Sequence, residues 1–395
     1  MPKPQPKPQP KPPSRRPSRQ PAASPATSAA PDLAALRTAI DALDQRIIDL
    51  LNRRSSLVVK VGKFKQAHGI PIYAPHREQE VLGRVLGHNR GPLPARTIEA
   101  IYRELMSGSF ALEQPLKIGY LGPEGSFSHV AAVRHFGQSV QFENLREIGG
   151  VFTEVQRGHV DYGLVPIENS IHGGIAETLD AFVRSAGKVF VYAEVQLAIH
   201  HALMANCAPS KVKRIYSKPE VFSQCRTWLA TQYPQAELVS VASSSKGVQM
   251  VAEESARLGS DSSSAAIGNA FAGELYDVNT LFPRIEDDPH NITRFFVIGR
   301  SPAQKSGDDK TSLMFRALNK PGALVSVLQV FQRAKVNLTH IDKRPGGRTN
   351  WQYTFFLDAE GHEHDPRVAK ALSAARRHCQ ELWVLGSFPR SKRIL

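Results

Sequence analysis

The sequence predicts a multidomain chain: an all-α segment, then an α/β segment, then an α+β unit of ferredoxin-like type. Three observations carry that prediction. Apolar residues first recur at helical spacing over about 36 residues. From Leu116 strand-like apolar runs then alternate with helical ones. The last 85 residues finally read strand, helix, strand, strand, helix, strand, the order of the βαββαβ unit.

The helical segment begins at Asp32. Leu33, Leu36, Ile40, Leu43, Ile47, Leu50, Leu51, Leu57, Val58 and Val61 follow at three- and four-residue steps, which predicts one amphipathic helix to about Ala67. At about 1.5 Å per residue it is a rod of about 54 Å. Such a rod has no core of its own and must pack against other helices. His68-Gly69-Ile70-Pro71 ends it. Two more helices are expected, about His76–Leu86 and Ala95–Glu113, parted by Asn89-Arg90-Gly91-Pro92.

In the α/β segment, Leu116–Leu121, Tyr162–Pro166, Val189–Glu194, Arg214–Tyr216, Leu238–Val241, Ala265–Gly268 and Phe295–Ile298 read as strands of open sheets. Ser301–Lys310 is a polar linker. The closing unit is expected as strand Thr311–Leu318, helix Gly322–Ala334, strands Asn337–Lys343 and Gln352–Leu357, helix Pro366–His378 and strand Leu382–Ser387. Residues 1–31, with their Lys-Pro-Gln-Pro repeats, cannot form helix or ladder, because proline lacks a donor and fixes φ. A disordered or polyproline tail is expected there; its proline density argues against a mitochondrial transit helix.

Composition excludes several classes. No apolar run approaches the ~18 residues of a membrane span. No charged-then-apolar leader precedes the first helix. Cys207, Cys225 and Cys379 are odd in number and widely spaced, which suits a reducing cytoplasm rather than a disulfide framework or a zinc site. The formal charge is +14, of which +6 lies in residues 1–31. No basic helix with interleaved aromatics accompanies it, so nucleic acid is not the expected partner. A basic body suits anionic small substrates.

Three constellations bear chemistry. On the first helix Arg54 and Lys65 stand eleven residues apart, close to three turns, and so point the same way. Leu36-Arg37-x2-Ile40-x2-Leu43-Asp44-x5-Leu50-Leu51-x2-Arg54, Val61-Gly62-Lys63-x-Lys65 and Arg77-Glu78 closely resemble the all-helical chorismate mutases over about residues 32–113. That resemblance implies an intertwined dimer. It implies that Arg37 reaches into the partner subunit's site, that Arg54 and Lys65 act there with Arg77 behind, and that Glu78 holds the ring hydroxyl. Ser109 would contact a carboxylate. Glu113 stands where a well-known version of the pattern has a glutamine, and must carry a proton to donate to the ether oxygen. Ala74 replaces an acid. The rearrangement of chorismate needs no nucleophile or cofactor; cationic clamps that hold the reactive conformer suffice, and arginine's fork suits carboxylates.

In the α/β segment, Gly122-Pro123-Glu124-Gly125-Ser126 turns into a helix, a place where backbone donors attract anions. Pro166-Ile167-Glu168-Asn169-Ser170 and Asn291-x-Thr293-Arg294-Phe295 put polar groups at strand ends, where open sheets form sites. With Tyr216-Ser217-x-Pro219, Gln224-Cys225 and Ile285-Glu286-Asp287, these closely resemble prephenate dehydratases over about residues 115–300. The resemblance implies two α/β lobes around a cleft, like small periplasmic binding proteins. It implies Thr293 as proton donor to the leaving ring hydroxyl, with Arg294, Glu168, Asn169 and Ser170 shaping the substrate site. Glu168, Glu286 and His290 are candidates to assist the threonine. His200-His201 reads as structural, since neighbours in a strand face opposite ways; neither metal nor cofactor is expected.

In the closing unit, Asn319-Lys320-Pro321-Gly322-Ala323-Leu324 opens a helix, and Ile341-Asp342-Lys343-Arg344-Pro345 follows on the next strand. Both resemble the ligand motifs of the ACT regulatory domains attached to such dehydratases, over residues 311–395. Asp342 and Lys343 replace the usual Glu and Ser. The resemblance implies phenylalanine binding between paired ACT domains through Asn319, Pro321, Gly322, Ala323, Leu324, Ile341, Asp342, Arg344 and Pro345. The whole chain then reads as a homodimer or larger that turns chorismate into prephenate and prephenate into phenylpyruvate under phenylalanine feedback. Arogenate as substrate and a decayed amino-acid sensor are the alternatives. Thr293, Arg294, Arg54 and Lys65 speak against the sensor.

Overall fold

A computed structural model describes residues 32–345 and 353–395. The expected tail at 1–31 and the expected strand start at Gln352 lie outside those residues. The helical segment forms α1 (Leu33–Ala67), α2 (Pro75–His88) and α3 (Ala95–Glu113). Up to Arg54 the chain is a single helix. Its apolar stripe is open: Leu36, Ile40, Leu43, Ile47 and Leu50 are each 46–59% exposed. Beyond Arg54 the chain folds as a second unit. There α1 ends as expected, with Gly69 at φ 64 and Pro71 after it. Gly62 is the buried residue of α1 because a Cβ at that position would meet Glu113 Cα at 2.9 Å. A helix-interior glycine costs about 1 kcal/mol in propensity; here it permits α1 and α3 to touch.

The α/β segment begins with β1 (Lys117–Leu121), α4 (Phe127–Phe136), β2 (Gln141–Leu145), α5 (Ile148–Arg157), β3 (Tyr162–Asn169), β4 (Gly173–Gly174), α6 (Ala176–Arg184) and β5 (Phe190–Ala198). A second lobe follows: β6 (Ala202–Met204), β7 (Arg214–Ser217), α7 (Pro219–Gln224), α8 (Arg226–Gln232), β8 (Glu237–Ser240), α9 (Ser244–Leu258), β9 (Ser264–Gly268), α10 (Ala270–Tyr276) and β10 (Thr280–Phe282). The chain then returns to the first lobe as β11 (Ile292–Gly299). The first sheet has the order β2-β1-β3-β11-β5 with β4 beside β3; the second has β10-β6-β9-β7-β8. β11 runs antiparallel to both its neighbours. Two chain crossings, β5 to β6 and β10 to β11, join the lobes. The expectation for His200-His201 is corrected here: the pair sits in the first crossing, between β5 and β6, not in a strand, so alternation does not govern it.

The closing unit is β12 (Asp309–Ala317), α11 (Ala323–Arg333), β13 (Leu338–Pro345), β14 (Tyr353–Glu360), α12 (Pro366–Arg376) and β15 (Cys379–Pro389), the βαββαβ order expected. Its sheet is β13-β14-β12-β15, antiparallel throughout. Ser301–Lys310 is less free than a linker: Ala303 is buried in the first lobe's core, and Asp309 accepts hydrogen bonds from the Ser306 and Gly307 backbones.

β11 holds two cores apart. Phe295 and Val297 point into a cluster with Tyr120, Phe136, Tyr162 and Tyr192 of the first lobe and with Tyr73 and Phe110 of the helical segment. Phe296 and Ile298 point the other way, into a cluster with Phe152, Phe182, Met314, Phe356 and Phe388. Tyr73 anchors the helical segment on the first face. Its ring is fully buried, 5.2 Å from Tyr162 and 5.9 Å from Phe110. Its hydroxyl lies 2.6 Å from His135 Nε2, and its carbonyl accepts from Tyr192 Oη at 2.9 Å. Burial, with Arg103 and Arg393 nearby, holds the His135 pKa well below the usual histidine range.

Two outcomes follow. Tyr73→Ala should lower stability by about 3–5 kcal/mol, read as a drop in denaturation midpoint. His135 is neutral in the fold but protonates near pH ~6.5 when unfolded. Its contribution is therefore fully present above that pH and falls as pH drops below it. His135→Gln should flatten this slope in stability measured between about pH 7.5 and 5.

Candidate active sites

Thr293 lies near the start of β11, opposite Asn169 at the end of β3. Asn169 Nδ2 donates to Thr293 Oγ1 at 2.9 Å and to Asn291 Oδ1 at 2.7 Å. Asn169 Oδ1 accepts from the backbones of Ile171 and His172, which fixes the amide's orientation. Since Thr293 Oγ1 accepts from the amide, its own O–H is left to point elsewhere as a donor. Asn291 Nδ2 reaches Gln224 Oε1 at 3.3 Å, and His201 Nε2 lies 2.6 Å from the same oxygen. Glu286 accepts from the His201 backbone at 2.9 Å and contacts His200 Nδ1 at 2.7 Å. A continuous polar relay thus runs from Thr293 through Asn169, Asn291, Gln224 and His201 to Glu286. Burial lowers the His201 pKa, so the ring is neutral near pH 7. With Nε2 donating to Gln224, Nδ1 is a buried acceptor without a partner. A cavity of about 430 Å³ lies between the lobes, lined by Phe127, Val130, His201, Asn269, Phe271 and Arg284 among others.

Of the acids proposed to assist Thr293, Glu286 alone joins this relay. His290 is exposed and its backbone bonds Asp288. Glu168 and Arg294, expected to shape the substrate site, lie on the opposite face of the sheet from Thr293. The reason is strand geometry: successive residues alternate faces, so Thr293 and Asn169 share one face while Arg294 and Glu168 share the other. There Arg294 Nε donates to Glu194, Nη2 pairs with Asp358 at 2.5 Å, and Nη1 lies 3.7 Å from Glu168. Lys310 Nζ joins Glu194 at 3.0 Å, and His340 Nδ1 lies 3.3 Å from Glu168. Burial opposes the charge on His340, but the bond to Glu168, with Asp358 near, outweighs it and raises its pKa. Ser170 Oγ accepts from the Ile292 backbone at 2.9 Å, tying β3 to β11 just beside the threonine.

In the helical segment, Lys65 Nζ donates to Glu113 Oε2 at 2.8 Å and to the Ile72 carbonyl at 3.0 Å. Gln66 holds the Glu113 carbonyl at 2.8 Å. Ser109 is buried on α3 and donates to the Leu105 carbonyl at 2.6 Å. Glu78 is buried too, but its partner is Arg103 at 2.9 Å, a residue sequence reasoning did not select. Burial raises the Glu78 pKa against the pull of Arg103. Arg77 is exposed and pairs with Glu80 at 2.7 Å. Arg37 and Arg54 lie on the N-terminal part of α1, Arg37 exposed and Arg54 half-buried.

The second regulatory motif divides by strand alternation. Ile341, Lys343 and Pro345 are exposed, whereas His340, Asp342 and Arg344 turn inward. The first motif caps α11: Gly322 takes φ 77, Asn319 and Pro321 are exposed, Ala323 is buried and Leu324 half-buried.

Comparison with known proteins gives three matches along the chain. Residues 36–114 match the family model of chorismate mutase type II, residues 118–303 that of prephenate dehydratase, and residues 311–377 that of the ACT domain. The bifunctional chorismate mutase/prephenate dehydratase of Stutzerimonas stutzeri is 40% identical over 369 residues, 92% of this chain and 99% of that one. The chain belongs to the bifunctional chorismate mutase/prephenate dehydratase family. It carries both activities, for phenylalanine biosynthesis. A family member from Escherichia coli K12 is 30% identical over 380 residues, 90% of this chain and 96% of that one. Among solved structures, the prephenate dehydratase of Arthrobacter aurescens in complex with L-Phe is 31% identical with a TM-score of 0.64, covering 71% of this chain and 92% of that one.

Within this family frame, the relay residues Gln224, Asn291 and His201 are those to which sequence reasoning gave no role. Gln224 stood in a quoted motif, yet nothing in its spacing places it beside Asn291, 67 residues later. Replacing Gln224 by Ala should cut dehydratase kcat/KM about a hundredfold, as loss of one oriented polar group does. Mutase activity of the same variant should stay unchanged.

Proposed function

We propose that Thr293 is the general acid of the dehydratase step, giving its proton to the ring hydroxyl as prephenate loses that group and carbon dioxide. The observation that carries this reading is the Asn169 amide, which occupies the Thr293 oxygen as donor and leaves the hydroxyl hydrogen free. Threonine is a weak acid, so the alkoxide it leaves must take its proton back from water; the amides of Asn169, Asn291 and Gln224 orient the hydroxyl and carry no proton themselves. Ser170 keeps β3 and β11 in register at that point. Arg294 and Glu168 act from behind the sheet, holding the strand rather than the substrate.

For the mutase step, Lys65 and Arg54 clamp the carboxylates of chorismate with Arg37 of a second copy, and Ser109 and Glu113 complete the site. A substrate carboxylate competes with Glu113 for Lys65. Glu113 holds Lys65 in place at 2.8 Å until the substrate takes its position. The second copy is required by the open stripe of α1: a helix with this much exposed Leu and Ile buries it only against another helix. The enzyme is therefore read as a homodimer or larger, working in the cytoplasm. Phenylalanine, the ligand of the related Arthrobacter aurescens enzyme, binds the ACT domain through the Asn319–Leu324 turn and the β13 motif. It must favour a low-activity state for feedback to operate.

The test is direct. Purified protein is given chorismate or prephenate, and phenylpyruvate is followed. Thr293→Val should lose about 10²–10⁴ in dehydratase rate while still making prephenate from chorismate. Lys65→Ala should do the reverse. Equal loss of both activities in either variant would refute the division of labour. Leu43→Glu should yield a monomer on sedimentation, with mutase activity lost.

A further inference from the structure

Three inward residues of β13 meet one short stretch of the dehydratase lobe. His340 reaches Glu168 at the end of β3. Asp342 presses on Gly174 in β4 so closely that a Cβ there would strike its carboxylate. Arg344 makes a two-pronged contact with Asp180 of α6, Nε to Oδ1 and Nη2 to Oδ2, each at 2.8 Å. Glu168, Gly174 and Asp180 all belong to the chain that carries Asn169. That chain is stiff: Ile175 bonds Ile167 at 2.8 Å, Thr178 Oγ1 bonds the Pro166 carbonyl, and Leu179 is buried. Asp358 of the adjoining β14 grips Arg294, the neighbour of Thr293.

We propose that β13 couples the ACT domain to the dehydratase centre through these inward contacts, with Asp180 as the positioning residue that receives the motion. A shift of β13 by a ligand on its outer face would be delivered to residues 168–180, and so to the Asn169 amide that orients Thr293. No proton transfer or bond exchange is involved. The inference rests on the reading of phenylalanine as the regulatory ligand.

Asp180 tests it best, because it lies outside the relay and outside both ligand motifs. The Asp180–Arg344 pair is partly exposed, 38% and 29%, so its loss is not expected to unfold the chain. Dehydratase kcat and KM are measured with and without phenylalanine for the full chain, for Asp180→Asn and for Asp180→Glu, and phenylalanine binding is measured separately by calorimetry. The expected result is an Asp180→Asn enzyme with unchanged basal kcat/KM and phenylalanine affinity within about threefold, whose inhibition is at least tenfold weaker. Asp180→Glu, which keeps the charge, should recover most of the response. Full inhibition of Asp180→Asn would overturn the coupling alone. So would loss of phenylalanine binding in that variant, since Asp180 would then merely support the ligand site. An unsubstituted enzyme that neither binds nor answers phenylalanine would overturn the regulatory reading and the coupling with it.

Discussion

The molecule beyond α1 depends on the alternation of one strand. β11 lies between β3 and β5, and its odd and even residues serve different neighbours. Thr293, Phe295 and Val297 look toward the polar relay and the core shared with the helical segment. Arg294, Phe296 and Ile298 look toward the ACT sheet. A one-residue slip of β11 would exchange the two sets and destroy both faces at once. The pairing is fixed on both sides: Thr293 sits against Asn169 on one strand and Leu197 on the other.

The charges behind that strand set a second constraint. The Glu194 side chain has no exposure, and Arg294 and Asp358 have little. Carrying such groups out of water costs several kcal/mol per ion, and only close pairing offsets it. Arg294 and Lys310 answer Glu194, and Ser312 with Arg294 answers Asp358. The arrangement is satisfied only while the ACT sheet is docked. Pulling that sheet away would take Lys310 from Glu194 and leave the Asp358 carboxylate without its arginine. Docking is thus specified by charge, whereas the apolar contacts of Phe296, Phe356 and Phe388 supply area without direction.

Much of this was legible in the sequence. Helical periodicity fixed α1 to within a residue of its observed start, since period and termination signals agree there. The ferredoxin-like order was readable because each of its elements is short and strongly patterned. Thr293 and Asn169 were readable from their motifs, and the structure brings them together. The face that Arg294 and Glu168 take was not legible, because a motif records adjacency along the chain while a strand sends neighbours to opposite faces. Arg103 and Gln224 were missed for the opposite reason: their partners are distant in sequence, and no local pattern marks a long-range hydrogen bond. His200-His201 was read by strand alternation, whereas the pair lies in the crossing between β5 and β6. Reading β13 in its period of two would have separated Asp342 and Arg344 from Ile341 and Pro345.

Tyr73 has a consequence for how such a chain can be assembled. Its ring, contributed from between α1 and α2, completes the aromatic core beneath the dehydratase sheet. The two enzymes are therefore not beads on a string. A gene split near the end of α3 would leave a dehydratase with a ring-sized hole beside Tyr162 and Tyr192, and a mutase with an aromatic side chain stranded in water. Each half would need compensating changes before it could live alone, so the fusion, once made, works as a ratchet against separation.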